Sequence, residues 1–353
     1  MTYIAKPRID LPNQKTNEIG LTIRDYEGGL STLCAGCGHD SITAAIVQAF
    51  FELAIPPEKV IKLSGIGCSS KTPAYFISGA HGFNSVHGRM PSVATGALAA
   101  NRDLVCIGVS GDGDSLSIGF GQFGHAIRRN LNMLYIIENN GVYGLTKGQF
   151  SASADPGSRA KKGEVNQMKA IDPAATAIAL GGSFVARSFS GDRKQLVPLI
   201  KAGVRHPGCA VIDVVSPCVT FNDHEGSTKS YAYTREHYHP AFETDYIHSR
   251  EEIRVRNGDA GAAEFEVTLH DGSRLLLKRV DEAYDPRNRS AALEYLEAQR
   301  ADGEVVTGLL FVDDQIPEMH AIYGTAKNPL SQLDYERLVP GAGALAKLQR
   351  GMK

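Results

Sequence analysis

Between residues 59 and about 218, short β-branched runs alternate with stretches of helical periodicity. The strand-like runs fall at 60–63, 104–109, 133–137, 184–186 and 210–215, and the helical stretches at 41–53, 92–101, 116–129, 173–180 and 192–202. Continuous apolar runs of this kind belong to strands covered on both faces. Their alternation with helices predicts an α/β fold, a mostly parallel sheet with helices on both sides. Ligands of such sheets sit beyond the carboxyl ends of the strands, so the chemistry is sought there.

The chain divides into three parts on this reading: an amino-terminal segment, 1–30; an α/β body, 31–240; and a carboxy-terminal extension, 241–353. In the extension, residues 264–278 alternate apolar and polar around Asp271-Gly272, a hairpin signal. A helix is expected near 290–300, before an end broken by Ala, Gly and Pro, and the extension reads as a small appendage or wrapping tail. Charge is split along the same line. Residues 241–353 hold 14 Lys and Arg against 20 Asp and Glu, or −6, which leaves +4 for residues 1–240 within a total of −2. That balance points away from nucleic acid and anionic membranes, while a mildly basic body suits an anionic ligand or an acidic partner. The first residues lack a hydrophobic signal segment, and no apolar run approaches the ~18 residues needed to span a bilayer. A cytoplasmic location is expected, where six cysteines are free or metal-bound rather than disulfide-bonded.

The ends of the expected strands carry unusual residues. Ser64-Gly-Ile-Gly-Cys68-Ser-Ser-Lys71 follows the first, Ser110-Gly-Asp112-Gly-Asp-Ser115 the second, Glu138-Asn-Asn140-Gly-Val142-Tyr143-Gly the third, and Ser216-Pro-Cys218 a fourth. A carboxylate between two glycines can approach a metal closely, because the backbone there is unhindered. The helix expected next offers unpaired N–H groups to an anion. Between Gly113 and Asn139 lie 25 residues, enough for one helix and one strand. Asn140 is thereby brought to the neighbouring strand end, beside Asp112. Mg²⁺ takes a carboxylate, an amide oxygen and a backbone carbonyl, with phosphate oxygens completing its octahedron. Asp112, Asn140 and the carbonyl of Val142 are therefore expected to form a diphosphate–metal site.

Cys34-Ala-Gly-Cys37 can grip a metal from one tight turn, but four-thiolate sites need two more sulfurs, and no second C-x-x-C exists. Any partners must lie far off in sequence. Cys106 and Cys209 fall in apolar strands and read as core thiols.

These motifs carry a resemblance. Gly111-Asp112-Gly113 followed at this spacing by Asn139-Asn140 resembles the thiamine-diphosphate-binding motif. Cys34-x-x-Cys37-Gly-His, Gly65-Ile-Gly-Cys68-Ser and Ser216-Pro-Cys218 together resemble the β subunit of 2-oxoacid:ferredoxin oxidoreductases, from about Thr32 to roughly Pro240. The extension beyond 240 suits the 2-oxoglutarate type. The resemblance implies the thiamine-diphosphate-binding fold, and Cys34, Cys37, Cys68 and Cys218 as the ligands of one [4Fe–4S] cluster. Four thiolates from separate loops suit such a cluster, and zinc is the rival that the cysteines alone do not exclude. Ile66, Gly67, Cys68, Ser69, His87, Gly113, Asp114, Gly144 and Leu145 are implied to line the thiamine diphosphate. Lys71, Lys147 and Leu145 are implied to recognise substrate, Lys147 where pyruvate-specific relatives carry a small residue.

The implied activity is oxidative decarboxylation of 2-oxoglutarate to succinyl-CoA and CO₂, with electrons passed through the cluster to ferredoxin and coenzyme A taking the acyl group. Pyruvate, branched-chain or aryl 2-oxoacids, a thiamine-dependent decarboxylase with structural zinc, and a non-catalytic electron carrier stand as rivals. Thiamine enzymes also need a Glu on the aminopyrimidine, carried by a second, similar domain, and this chain shows no second α/β domain of sufficient size. The family places that domain in an α (or fused γα) subunit. Half of an active site, in an α2β2 assembly, is the expectation.

Overall fold

The computed structural model describes residue 6 and residues 13–160, 163–248, 264–268, 272–279, 284–339 and 341–352. Its strands are β1 (Val60–Ser64), β2 (His81–Asn84), β3 (Val105–Gly111), β4 (Met133–Asn139), β5 (Val142–Tyr143), β6 (Gln149–Phe150), β7 (Phe184–Phe189), β8 (Cys209–Val215), β9 (Tyr238–Pro240), β10 (Phe242–Ile247), β11 (Glu264–Thr268), β12 (Arg274–Arg279) and β13 (Val305–Val312). The helices used below are α1 (Gly38–Glu52), α2 (Met90–Ala100), α3 (Phe120–Arg128), α4 (Pro173–Ala179), α5 (Arg193–Arg205), α6 (Tyr231–Glu236), α7 (Arg289–Ala301) and α8 (Met319–Tyr323).

Among the described residues eight strands form one sheet in the order β2-β1-β3-β4-β8-β7-β13-β9. Every neighbouring pair from β2 to β7 is parallel, as the alternating pattern predicts. Every residue of β4 and of β8 is buried, so both faces of these strands are covered, which is why their sequences show no polar alternation. On α1, Ile42, Ala45, Ile46, Ala49 and Phe50 are fully buried. Their spacing is that of one helical stripe, which packs on α5 and joins the same buried core as the sheet residues. Asp172 and Asp192 start α4 and α5 by accepting the backbone N–H groups of Ala175 and Gln195.

Three features depart from the pattern read in the sequence. The helix expected over 116–129 is two elements, a π-helical turn at Gly113–Ile118 and α3, broken at Gly119. A Cβ on Gly119 would stand 2.8 Å from Gly88 Cα, so two backbones touch where the helix breaks. The edge strand β2, His81-Gly-Phe-Asn84, is exposed throughout and carries no apolar signature. The third departure lies in the extension. The expected hairpin is there as the antiparallel pair β11 and β12, with Asp271 of its turn outside the described residues. The expected helix is there as α7. But β13, unread in the sequence, enters the main sheet between β7, to which it is antiparallel, and β9.

Asn130 fastens this extension to the body. It holds a left-handed backbone (φ 48°) in the turn before β4. Its Oδ1 accepts from Ser183 Oγ (2.7 Å) and Cys209 N (2.8 Å), and its Nδ2 donates to the carbonyls of Ile316 and Pro317. Asn130→Ala removes an acceptor from two buried donors and places alanine in a conformation that asparagine tolerates better. A loss of about 2–4 kcal/mol is expected in denaturant unfolding, with faster amide exchange around residues 316–319. An unchanged unfolding midpoint would refute this role.

Candidate cofactor site and thiol group at the carboxyl edge of the sheet

Strands β1, β3, β4 and β8 are consecutive neighbours, all parallel, so their carboxyl ends lie abreast. Ser64 pairs with Val109, Gly111 with Glu138, and Asn139 with Val215. The loops leaving these ends are the four that carry the unusual residues. Three of them, those after β1, β3 and β4, enclose with His87 a cleft of about 460 Å³, part of it open to solvent. Its wall is Ile66-Gly67-Cys68-Ser69 from the first loop, His87, Gly111-Asp112-Gly113-Asp114 from the second, and Asn140 with residues 142–146 from the third. The residues expected to line the thiamine diphosphate, and those expected to hold its metal, thus meet in one place.

Asp114 organises this wall. It is 4% exposed. Its Oδ1 accepts from Gly88 N (2.8 Å), His87 Nδ1 (3.2 Å) and, more weakly, Ile66 N (3.4 Å), and its Oδ2 accepts from Ser110 Oγ (2.9 Å). One carboxylate therefore ties together three loops, and Gly65 is glycine because any Cβ there would collide with it. Because a carboxylate only accepts, Nδ1 of His87 carries the proton.

Asp112 is 1% exposed and stands beside Asn140, whose N–H approaches Asp112 Oδ1 at 3.3 Å. Asn140 Oδ1 accepts from Val142 N (3.1 Å). The chain turns there through Gly141 at φ 76°. That turn brings the carboxylate, the amide oxygen and the strand that follows together, the donor set of a hard cation. The π-helical turn begins at Gly113, so unpaired N–H groups at its start lie in the same wall.

The four loop cysteines share a neighbourhood on the Gly144 side of the cleft. A Cβ on Gly144 would stand 3.4 Å from Cys68 Sγ and 3.6 Å from Cys218 Sγ. Cys37 feels the charge of Cys218, Cys68 that of Cys218 and Cys34, and Cys218 that of Cys34. Cys37 N bonds Cys34 O (3.0 Å), closing the C-x-x-C turn, and Thr220 Oγ1 approaches Cys34 Sγ at 3.5 Å. Burial, added to by these charges, raises the thiols of Cys68 and Cys218 and pushes Cys37 up to about 12. Among the described residues, no three His, Cys, Asp or Glu side chains are gathered as tightly as a single metal ion requires. Cys106 and Cys209 are buried apart, in β3 and β8.

Behind the thiols, Glu138 at the end of β4 and His39 in the first turn of α1 face each other at 3.5 Å. Burial holds His39 down to about 4, so its ring is neutral near pH 7, and raises Glu138 well above the usual carboxylate range. His39 Nδ1 also lies 2.7 Å from Ser216 Oγ. This contact locks the Cys37 end of α1 to the loop that carries Cys218.

The lysines expected to recognise substrate sit less centrally. Lys71 lies beside Cys68, where its charge lowers that thiol against the effect of burial. Lys147 is exposed, with a left-handed backbone (φ 85°), on the loop whose Leu145 and Thr146 line the cleft. Neither lysine forms part of the wall. Sequence reading missed Tyr143, whose hydroxyl donates to Gly113 O (3.1 Å) and whose ring would meet a Cβ on Gly113 at 2.5 Å. It also missed Ser151 and Ser153, which reach Asp112 from the loop after β6. Tyr143 lay inside a motif already singled out; the serines carried no signal. A second cavity, of about 690 Å³, opens beyond Asn139 around Arg187, Asp213 and Lys229. Arg187 there is paired with Asp172 and Asp213, and Lys229 with Asp155.

The fold and this cleft define a thiamine-diphosphate-binding domain. Residues 65–214 match the family model described as thiamine pyrophosphate enzyme, C-terminal TPP binding domain. A 2-oxoacid:ferredoxin oxidoreductase subunit beta from a Sulfolobus species is 46% identical over 191 residues, which cover 54% of this chain and 63% of that one. The 2-oxoglutarate synthase subunit KorB of Methanocaldococcus jannaschii is 38% identical over 189 residues, 53% of this chain and 69% of that one. The solved 2-oxoglutarate:ferredoxin oxidoreductase from Magnetococcus marinus, with 2-oxoglutarate, coenzyme A and succinyl-CoA bound, superposes with a TM-score of 0.71 at 29% identity. That match covers 91% of this chain and 96% of that one. The chain belongs to the β-subunit family of the 2-oxoacid:ferredoxin oxidoreductases. Its sequence match takes in less than two thirds of the Sulfolobus relative. No helix among the described residues is long and apolar enough to cross a membrane.

The hub role of Asp114 separates two substitutions. Asp114→Ala leaves the N–H groups of Gly88 and Ile66 without their acceptor and is expected to cost about 2–3 kcal/mol in thermal or denaturant unfolding. Asp114→Asn keeps an oxygen toward those donors, and the Ser110 hydroxyl can turn to accept from the new amide, so it is expected to cost less than half as much. Equal losses would contradict the hub.

Proposed function

We propose that this chain is the β subunit of an oxidoreductase that decarboxylates 2-oxoglutarate oxidatively to succinyl-CoA and CO₂ and passes the electrons through a [4Fe–4S] cluster to ferredoxin. The observation that carries the reading is a convergence of segments remote in sequence: the turn before α1 and the loops after β1 and β8 set four thiols beside a cleft holding Asp112 and Asn140. Thiamine diphosphate, when bound, supplies a nucleophilic carbon and an electron sink for loss of CO₂. The chain's own part is to bind and orient. Asp112, Asn140 and the carbonyl of Val142 would hold Mg²⁺ against the diphosphate; the start of the π-helical turn and His87 would meet its oxygens. Leu145 would pack on the ring. Cys34, Cys37, Cys68 and Cys218 would carry the cluster, a one-electron carrier. Lys147, at the mouth of the cleft, would meet the distal carboxylate of the substrate, with Lys71 beside the cluster thiols. An α subunit would supply the pyrimidine-side domain, ferredoxin would dock from outside, and an α2β2 assembly in the cytoplasm suits the family.

The test is turnover by oxygen-free protein with its α partner. Ferredoxin reduction that depends on coenzyme A and is faster with 2-oxoglutarate than with pyruvate supports the reading; faster pyruvate turnover replaces the substrate, and protein that carries zinc with no brown absorbance replaces the cluster. Lys147→Ala is expected to raise KM for 2-oxoglutarate about tenfold, the loss of one charge-assisted contact, and to leave pyruvate turnover unchanged. Equal effects on both acids would exclude recognition of the distal carboxylate.

The thiols also fix a pH dependence. Cys37, Cys68 and Cys218 have raised folded values, so they are protonated near neutral pH, and only thiolates bind iron. Loading therefore releases protons. Apparent affinity is expected to rise with pH, by up to about tenfold per unit for each thiol that gives up its proton. Cluster assembly followed from pH 6.5 to 8.5 by its absorbance checks this, and an affinity that is flat or falls with pH would contradict it.

A further inference from the structure

Asp112 is closed to solvent, and a buried carboxylate needs donors or a cation. Its two oxygens are not equivalent. Ser151 Oγ donates to Oδ2, and Ser153 Oγ lies 2.6 Å from the same atom. Among the described residues Oδ1 receives only the long approach of Asn140 N, at 3.3 Å.

Both hydroxyls are themselves fixed. Ser151 N donates to Gly141 O (3.2 Å) and Ala152 N to Ser117 Oγ (3.0 Å), so the loop after β6 is tied to the turn after β4 and to the π-helical turn. Ser153 also lies 2.8 Å from Asn139 Oδ1. The amide of Asn139 is oriented by its Nδ2, which donates to Asp213 Oδ1 (3.0 Å), and Asp213 is in turn held by Arg187 Nε (2.7 Å). The Ser153 hydroxyl thus has one proton and two acceptors, Asp112 Oδ2 and Asn139 Oδ1.

We propose that Ser151 and Ser153 are positioning residues for the divalent cation: they engage Oδ2 of Asp112, fix the plane of its carboxylate, and leave Oδ1 turned to the metal. The proposal rests on the reading of Asp112 as a cation ligand. The hydroxyl of Ser153 further couples that ligand, through Asn139 and Asp213, to Arg187 in the wall of the second cavity. Groups that orient metal-binding carboxylates in this way are typically worth 10- to 100-fold in metal affinity.

The experiment titrates Mn²⁺, read by its electron paramagnetic resonance signal, into full-length protein with its partner subunits and thiamine diphosphate. Ser153→Ala and Ser151→Ala are each expected to weaken Mn²⁺ binding at least tenfold, while the unfolding temperature of the metal-free protein changes little. Asp112→Ala is the control and should abolish binding. Wild-type affinity in both serine variants, with Asp112→Ala inactive in binding, overturns the inference and leaves the site reading intact. Affinity losses that merely track a loss of metal-free stability also overturn it. Retained binding in Asp112→Ala overturns the site reading itself. If Ser153→Ala fails to fold, Ser151→Ala, whose loop keeps both backbone ties, decides.

Discussion

The parallel pairing of β1, β3, β4 and β8 is the constraint on which the rest depends. Parallel strands side by side put all their carboxyl ends on one edge, and each loop there starts at nearly the same height. Residues 68, 112, 140 and 218 are remote in sequence but leave neighbouring strand ends. An antiparallel neighbour would have sent one of these loops to the opposite edge. The long connections that parallel pairing demands are what separate the motifs along the chain.

Polar anchors then hold the edge in shape. Asp114 gathers the loops after β1, β2 and β3 on one carboxylate. The Glu138–His39 contact and the His39–Ser216 hydrogen bond bind α1 to β4 and to the loop after β8, and so bring the C-x-x-C turn against Cys218. Glycines at 65, 113 and 119 are needed because other atoms already fill the space a side chain would take. The wall of the cleft is thus fixed by buried polar contacts and close backbone packing, while part of the cleft stays open to solvent.

Much of this was legible in the sequence, for a definite reason. Buried parallel strands leave apolar runs, and glycine, carboxylate and amide at their ends leave short motifs, so the central strands and the residues of the cleft were readable. What escaped was set by tertiary contact. The strand β2 is polar and exposed, and its place follows from pairing with β1 rather than from its own pattern. The strand β13 had an apolar run, Val305-Val-Thr-Gly-Leu-Leu-Phe-Val312, but lay in a segment read as peripheral, and only the pairing with β7 shows it to be part of the sheet. Ser151 and Ser153 look like loop serines until Asp112 is seen behind them. The break at Gly119 reflects the approach of Gly88, more than thirty residues earlier, which no local periodicity records.

The central claim is that the metal beside Asp112 and the cluster on the four thiols occupy one edge of one sheet. Magnetic coupling between them tests it most directly. With Mn²⁺ in place of Mg²⁺, reduction of the cluster should broaden the manganese resonance and speed its relaxation, and replacing Cys218 with serine should diminish the effect. A manganese signal untouched by reduction, in protein that carries both the metal and an intact cluster, would contradict the account.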